Sequence, residues 1–205
     1  MTKFRSDKVT VRGFAKIGVK AVQRKSPHVW FPIIFTGLRL ALRKGELLTL
    51  EWTDLDYANK KIYIRDKPHI ILDKQPHHCK WGSSRTLPFY PELEKLFSAL
   101  PKTSNFIFPN DNNGVRWFNV NRDFLKAIKD ANISRVQEVV PHSLRHTRIS
   151  QLLCYENRNI KEVQQFAGHS NPMTTLGYAH LLGGSDSLID ADKSLPSLDD
   201  ITSQT

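Results

Sequence analysis

Cysteine is scarce in this chain: Cys79 and Cys154 are its two thiols among 205 residues. That is too few for a disulfide framework and fits a reducing compartment. Apolar runs are short as well, and none approaches the ~18 residues that a membrane span requires. The opening Met1-Thr2-Lys3-Phe4-Arg5 is not followed by the apolar stretch of a signal peptide. No membrane partner is expected, and a cytoplasmic location is. Metal-ligand pairs are missing too. His77-His78-Cys79 has no matching Cys/His pair for a tetrahedral site. His142 and His146 have the i, i+4 spacing of a helical zinc pair, but Ser143 stands where a metalloprotease needs its Glu. No metal and no cofactor are expected. No internal repeat is visible.

Acidic residues are few until the end of the chain. Residues 1–180 hold 29 Lys or Arg against 15 Asp or Glu, a net +14, whereas residues 181–205 hold five Asp and one Lys. A basic body with an acidic tail points to a polyanionic partner, nucleic acid foremost. The length suits one domain or two small ones with a real core. A hydrophobic content of 40% is that of an ordinary globular protein.

Taken in order, residues 1–25 are a basic segment with eight Lys or Arg and one acid, Asp7, read as an arm or linker with a loosely defined helix. From Val29 to Trp52 the pattern is helical and largely buried, as two helices or one kinked helix, interrupted by Gly37 and Gly45. Arg39 and Arg43 share a face of it. Guanidiniums in an apolar run need an anion; Glu46 is one candidate partner of Arg43 and a phosphate is another. Asp54 to Asn59 reads as turn. Lys61–Arg65, His69–Leu72 and Arg85–Pro88 read as three short strands of an antiparallel sheet, with a polar loop from Asp73 to Ser84 carrying Lys74 and Lys80. Pro91–Leu100 is a short helix, Phe106–Pro109 extended, and Asn110–Gly114 a turn. Further helices are expected over Val115–Ala131, Ser143–Tyr155, Ile160–Phe166 and Pro172–Tyr178. After Leu182, Gly183-Gly184-Ser185 ends the pattern and residues 183–205 read as an acidic, mobile tail. The sum is a mostly helical α+β chain with a small antiparallel β-sheet.

The chemistry-bearing residues fall in four ordered boxes. The first is Leu42-Arg43-Lys44-Gly45-Glu46-Leu47-Leu48, with Trp52 nine positions after the arginine. The second is Lys80-Trp81-Gly82-Ser83-Ser84-Arg85-Thr86-Leu87-Pro88. The third is His142-Ser143-Leu144-Arg145-His146-Thr147. The fourth is Gly168-His169-Ser170 with Thr174, Thr175 and then Tyr178-Ala179-His180. An arginine fork can neutralise phosphate oxygens, histidine can move a proton near neutral pH, and tyrosine can attack to form a covalent intermediate.

Over roughly Phe35 to His180 these boxes resemble the catalytic domain of the tyrosine recombinases, the phage-integrase family. The resemblance implies a catalytic domain over residues 26–182. It also implies a site of Arg43, Lys80, His142, Arg145, His169 and Tyr178. In the family a Thr-Gly-Leu-Arg run usually leads straight into Gly-Glu. Here Thr36-Gly37-Leu38-Arg39 is followed by Leu40 to Arg43 before Lys44-Gly45-Glu46, so Arg39 is the rival of Arg43. Lys74 is the rival of Lys80. His146 reads as a packing or capping residue, and His180 as a local hydrogen-bond partner.

The implied reaction breaks and rejoins DNA through a 3′-phosphotyrosyl link on Tyr178, without metal or ATP. Arg43 and Arg145 clamp the phosphate, Lys80 protonates the leaving 5′-oxygen, His142 handles the tyrosine's proton and His169 bonds the phosphate. The implied partners are double-stranded DNA at a specific recombination site, a homotetramer in synapsis and accessory DNA-bending proteins, in a bacterium, phage or other mobile element. The competing functions are a type IB topoisomerase and a truncated DNA-binding fragment. The family's integrases usually carry a separate N-terminal core-binding domain. This chain is therefore expected to be either a truncated catalytic domain or similar to the short fimbrial phase-switch recombinases that lack it.

Overall fold

The computed structural model describes residues 30–72, 75–77, 84–109, 120–130, 140–154 and 156–178. The basic arm at 1–25, the acidic tail at 183–205, the turn at 110–114, and Lys74, His78, Cys79, Lys80 and His180 lie outside the described residues.

Helix α1, Trp30–Leu40, is apolar almost all round, and ten of its eleven residues are buried. Such a helix has no solvent face and becomes the axis of the core. Trp30 meets Phe124 of helix α4 (Val120–Asp130) edge to face at 5.8 Å. Gly37 lets α1 approach helix α5 (Pro141–Cys154): a Cβ there would lie 2.9 Å from Leu144 Cδ1 and 3.3 Å from Leu47 Cδ2. Emptying a fully buried site here, as in Ile34→Ala, costs roughly 2–5 kcal/mol.

From Trp30 onward this segment forms two helices, and neither glycine breaks it. Gly37 lies inside α1 and Gly45 inside helix α2, Lys44–Leu48. The break falls at Ala41, whose φ of +52° is left-handed. That conformation costs an alanine roughly 1–2 kcal/mol, and it turns the Ala41 carbonyl onto the Arg145 guanidinium (Nη1–O 2.6 Å).

The strands form two sheets where the sequence suggests one. Strands β1 (Leu55–Asp56), β2 (Lys61–Ile64) and β5 (Arg85–Pro88) make an antiparallel sheet in the order β1-β2-β5, with Ile62 opposite Leu87 and Ile64 opposite Arg85. Strand β3 (Lys67–Leu72) pairs instead with β4 (Gln75–His77), a strand inside the stretch expected to be loop. A buried charge ties this hairpin down. Lys67 Nζ donates to the Thr49 carbonyl (2.6 Å), lies 3.1 Å from Glu51 Oε2 and is bonded to Asp54. Burying that ammonium is tolerable because three acceptors, two of them carboxylates, meet it.

A 3-10 turn, Trp52–Asp54, and helices α3 (Pro91–Ser98), α6 (Ile160–Ala167) and α7 (Pro172–Leu176) complete the described elements. One apolar cluster joins α1, α2, α3, α4, β2 and β5, and a second joins Ala41, α5 and α6, with Tyr178 packed against it. Phe166 touches both, and the candidate site lies along the seam between them.

Candidate active site

Glu46 organises the arginines. At the third position of α2 its carboxylate accepts the Arg43 backbone N–H (2.8 Å) and Arg43 Nη1 (2.9 Å). It also takes both ends of the Arg85 fork, Nη1 at 3.0 Å and Nη2 at 2.9 Å. Burial acts to raise this carboxyl, but the hydrogen-bonded Arg85 and then Arg43 hold it down at about 2. It is therefore a fixed anion at neutral pH. Alternation along β5 explains Arg85: it lies opposite Ile64 and two residues from Leu87, on the face that meets the core.

The Ala167-Gly168-His169 turn supplies the opposite wall. Helix α6 ends on Gly168 at φ +68°, with Gly168 N–H on the Gln165 carbonyl (3.1 Å) and His169 N–H on that of Gln164 (3.0 Å). This is the glycine-closed end that satisfies a helix's last carbonyls. The carbonyls left over face the arginines: Phe166 O accepts Arg85 Nε (2.8 Å) and Gly168 O accepts Arg43 Nη2. Glycine is demanded twice at 168, because a Cβ there would also sit 2.8 Å from Arg85 Nη1.

Arg145 enters from α5 and is 1% exposed. Its Nη1 is on Ala41 O, while its Nη2 is buried with no hydrogen-bond partner among the described residues. Burial, and next the field of Arg43, lower it to about 10, so it stays charged at neutral pH. A buried cationic donor with nothing to bond is costly unless an anion arrives.

His169 hydrogen-bonds through Nδ1 to the buried Thr175 Oγ1 at 2.8 Å, which fastens α7 to the turn. Burial and then the cations Arg145, Arg43 and Arg85 push its imidazole to about 4. Helix α7 starts on Asn171, whose Oδ1 caps Met173 N–H, and Pro172 follows at its first position. Tyr178 comes just past its end, N–H on the Thr175 carbonyl. Its hydroxyl is hydrogen-bonded to His146 Nδ1, and the rings lie 5.5 Å apart. Burial pushes the phenol up to about 12 against the pull of Arg145. His146 is held at about 4 by burial, then by His142 and Arg145. His142 is exposed and meets the His146 ring edge-on at 4.4 Å.

Arg43, Arg145, His169 and Tyr178 are thus brought together, with His142 one ring away and Lys80 outside the described residues. Arg39 is elsewhere: it pairs with Glu92 and lies over the Tyr90 ring at 4.8 Å. Three contributors had no site role in the sequence reading. Arg85 is one residue inside the second box, Gly168 is one residue of a motif, and His146 has the pattern of a packing or capping residue. Its i, i+4 step from His142 was the available signal. Among the described residues no group of three or more His, Cys, Asp and Glu side chains is gathered as a metal ion would need. The arrangement offers an anion-binding pair of guanidiniums beside a tyrosine hydroxyl.

Known proteins are similar to this chain in sequence and in fold. The family model described as the phage integrase family matches residues 34–183. The tyrosine recombinase XerC of Corynebacterium glutamicum is 27% identical over 155 residues, which cover 71% of this chain and 43% of that protein. The chain spans about half the length of the curated relatives it matches. The Tn1549 transposon integrase, solved with a circular intermediate DNA, superimposes with a TM-score of 0.62 at 23% identity, over 87% of this chain and 60% of that one. The catalytic domain of bacteriophage HP1 integrase gives 0.56 at 21% identity, over 89% and 94%. These structural likenesses show the fold.

Proposed function

The chain belongs to the phage integrase family, and we propose that it is a site-specific DNA recombinase that breaks and rejoins strands through a 3′-phosphotyrosyl intermediate. The observation that carries this reading is the company Tyr178 keeps. Its hydroxyl shares a site with Arg145, a buried cation whose Nη2 has no partner among the described residues.

In this proposal Tyr178 Oη attacks a backbone phosphorus, and the Oη–P bond forms as P–O5′ breaks. Arg145 and Arg43 hold the non-bridging oxygens while charge builds on them. His169 donates a hydrogen bond to the same phosphate, and Lys80 gives the departing 5′-oxygen its proton. His142 and its neighbour His146 form the side that handles the tyrosine's proton. The phosphotyrosine retains the bond energy, so a 5′-hydroxyl of another strand reseals it without ATP. With two arginines and a lysine supplying positive charge, the reaction calls for no metal ion.

The partner in this reading is double-stranded DNA at a specific recombination site, and the net +14 of residues 1–180 supports it. A homotetramer in synapsis, accessory DNA-bending proteins and a cytoplasmic location complete the proposal. Residues 26–182 act as the catalytic domain, between a basic arm and an acidic tail.

The test is incubation with a pool of nicked suicide duplexes of randomised sequence. An adduct that survives denaturing gel electrophoresis is expected for the wild-type chain, and none for Tyr178→Phe, which still binds DNA. An adduct in Tyr178→Phe overturns the nucleophile. No adduct in the wild-type chain overturns the function, and relaxation of supercoiled DNA without a defined site turns the reading toward a type IB topoisomerase.

A further inference from the structure

We propose that His146, and not His142, is the group that takes the proton of the Tyr178 hydroxyl as the tyrosine attacks. The inference rests on the phosphotyrosyl reading above and assigns a catalytic residue to it.

The geometry starts from α5. Arg145 and His146 are adjacent, so their side chains leave the helix about 100° apart. Arg145 turns into the core and His146 to the half-buried seam where Tyr178 ends its chain turn. Tyr178 Oη and His146 Nδ1 are hydrogen-bonded. The hydroxyl has one proton to give, and a neutral imidazole has one nitrogen able to accept it. Burial and the neighbouring His142 and Arg145 keep the ring neutral at physiological pH, since its proton leaves near 4. The phenol, at about 12, keeps its own. The ionisable groups acting on this pair are His142 on the same helix and Arg145 beside it.

That pairing sets the order of events. In the free protein the proton stays on Tyr178, because the two acidities lie far apart. As the Oη–P bond forms, the phenol oxygen loses electron density to phosphorus and its proton becomes acidic. The O–H bond then breaks and an Nδ1–H bond forms, leaving an imidazolium. P–O5′ breaks with its electron pair on O5′, which takes a proton from the general acid assigned to Lys80. Beside the cation Arg145 the imidazolium is poorly placed to persist. His142, edge-on at 4.4 Å and exposed, is the next ring on the way to solvent. Resealing runs the same transfer backwards.

The test uses the whole chain with 3,5-difluorotyrosine at position 178, a phenol that parts with its proton more readily. Adduct formation on the nicked-duplex pool is timed in single turnover for wild type, His146→Ala and His142→Ala. His146→Ala is expected to slow cleavage by ~10²-fold, and the fluorinated phenol to restore about tenfold of that loss. No restoration, or restoration confined to His142→Ala, overturns the inference while leaving the phosphotyrosyl reading standing. A wild-type chain that forms no adduct sinks that reading instead. Nitrogen NMR of the free wild-type protein decides the geometry apart from catalysis. An unprotonated His146 Nδ1 whose resonance shifts in Tyr178→Phe is expected, and a protonated Nδ1 overturns the inference even if the alanine variants fail to fold.

Discussion

Arg85 and Glu46 meet fork to fork across 39 residues of sequence, Nη1 to Oε1 at 3.0 Å and Nη2 to Oε2 at 2.9 Å. The same carboxylate holds Arg43 by its backbone and its guanidinium. Glu46 is thus the common counter-charge of two arginines, and Arg145 lies within reach of all three fields. The aim of Arg43 is set by a strand and a helix end that are far from it in sequence.

Breaking this frame has a graded outcome. Arg85→Lys keeps the charge but cannot match both carboxylate oxygens. It is expected to cost about 2 kcal/mol in urea unfolding and to slow adduct formation by loosening Arg43. Glu46→Gln leaves Arg43, Arg85 and Arg145 without their counter-charge, and about 3–5 kcal/mol is expected. Wild-type stability and rates in both variants would show that the pair frames nothing.

The acid limb of stability follows from the same groups. Glu46 is held at about 2, below its ordinary 4.5, so its contribution is complete above that value and lost as pH falls toward 2. For a carboxylate this buried the amount is about 3 kcal/mol. His146 and His169 are lowered from 6.5 to about 4, so the unfolded chain takes up their protons first. Their share drains away between those two values. Urea midpoints measured stepwise downward from about pH 7 should fall in two stages. The upper stage is expected to shrink when both histidines are changed to Asn, and the lower when Glu46 becomes Gln. A flat midpoint through the upper window would contradict the neutral, buried histidines.

Much of this was legible in local sequence. Trp30 to Leu40 announces a buried helix by composition, Ile62, Ile64 and Leu87 announce strands by alternation, and Gly168 closes a helix as glycines do. What escaped was non-local or hidden in an ordinary residue. Ala41 carries a left-handed break that sequence rules assign to glycine, so the sequence points to Gly37 and Gly45 instead. His69–Leu72 chose β4 over the larger sheet because Lys67 anchors it to Glu51 and Asp54, a preference no local pattern encodes. Arg85 and His146 gained their places from partners 39 and 32 residues away.

The two arginines of the first helical segment separate by the same logic. Arg39 pairs with Glu92 and covers Tyr90, whereas Arg43 lies on Glu46 and the Gly168 carbonyl. Arg39→Ala is expected to lower stability by about 1–2 kcal/mol, from the lost ion pair and ring contact, and to leave DNA cleavage per folded molecule intact. Arg43→Ala is expected to abolish the adduct. Titrating each by urea and by the nicked-duplex assay checks both, and the reverse pattern would move the site to Arg39.

His169 provides a reporter of what the arginine pair is for. After burial, the cations Arg145, Arg43 and Arg85, with His142, hold its imidazole near 4. A phosphate seated on Arg145 and Arg43 would cancel part of that field, and a hydrogen bond from His169 to the phosphate would favour its charged form. Both effects act upward. The proton NMR titration of His169 is therefore expected to move up by roughly one pH unit or more when duplex DNA is added. By linkage, a group whose pKa rises on binding takes up a proton, so DNA affinity should strengthen as pH falls into that window. In Arg145→Gln the free-state value should already be higher and the DNA-induced rise smaller. A His169 titration that DNA leaves unmoved would mean that the phosphate does not sit between these residues.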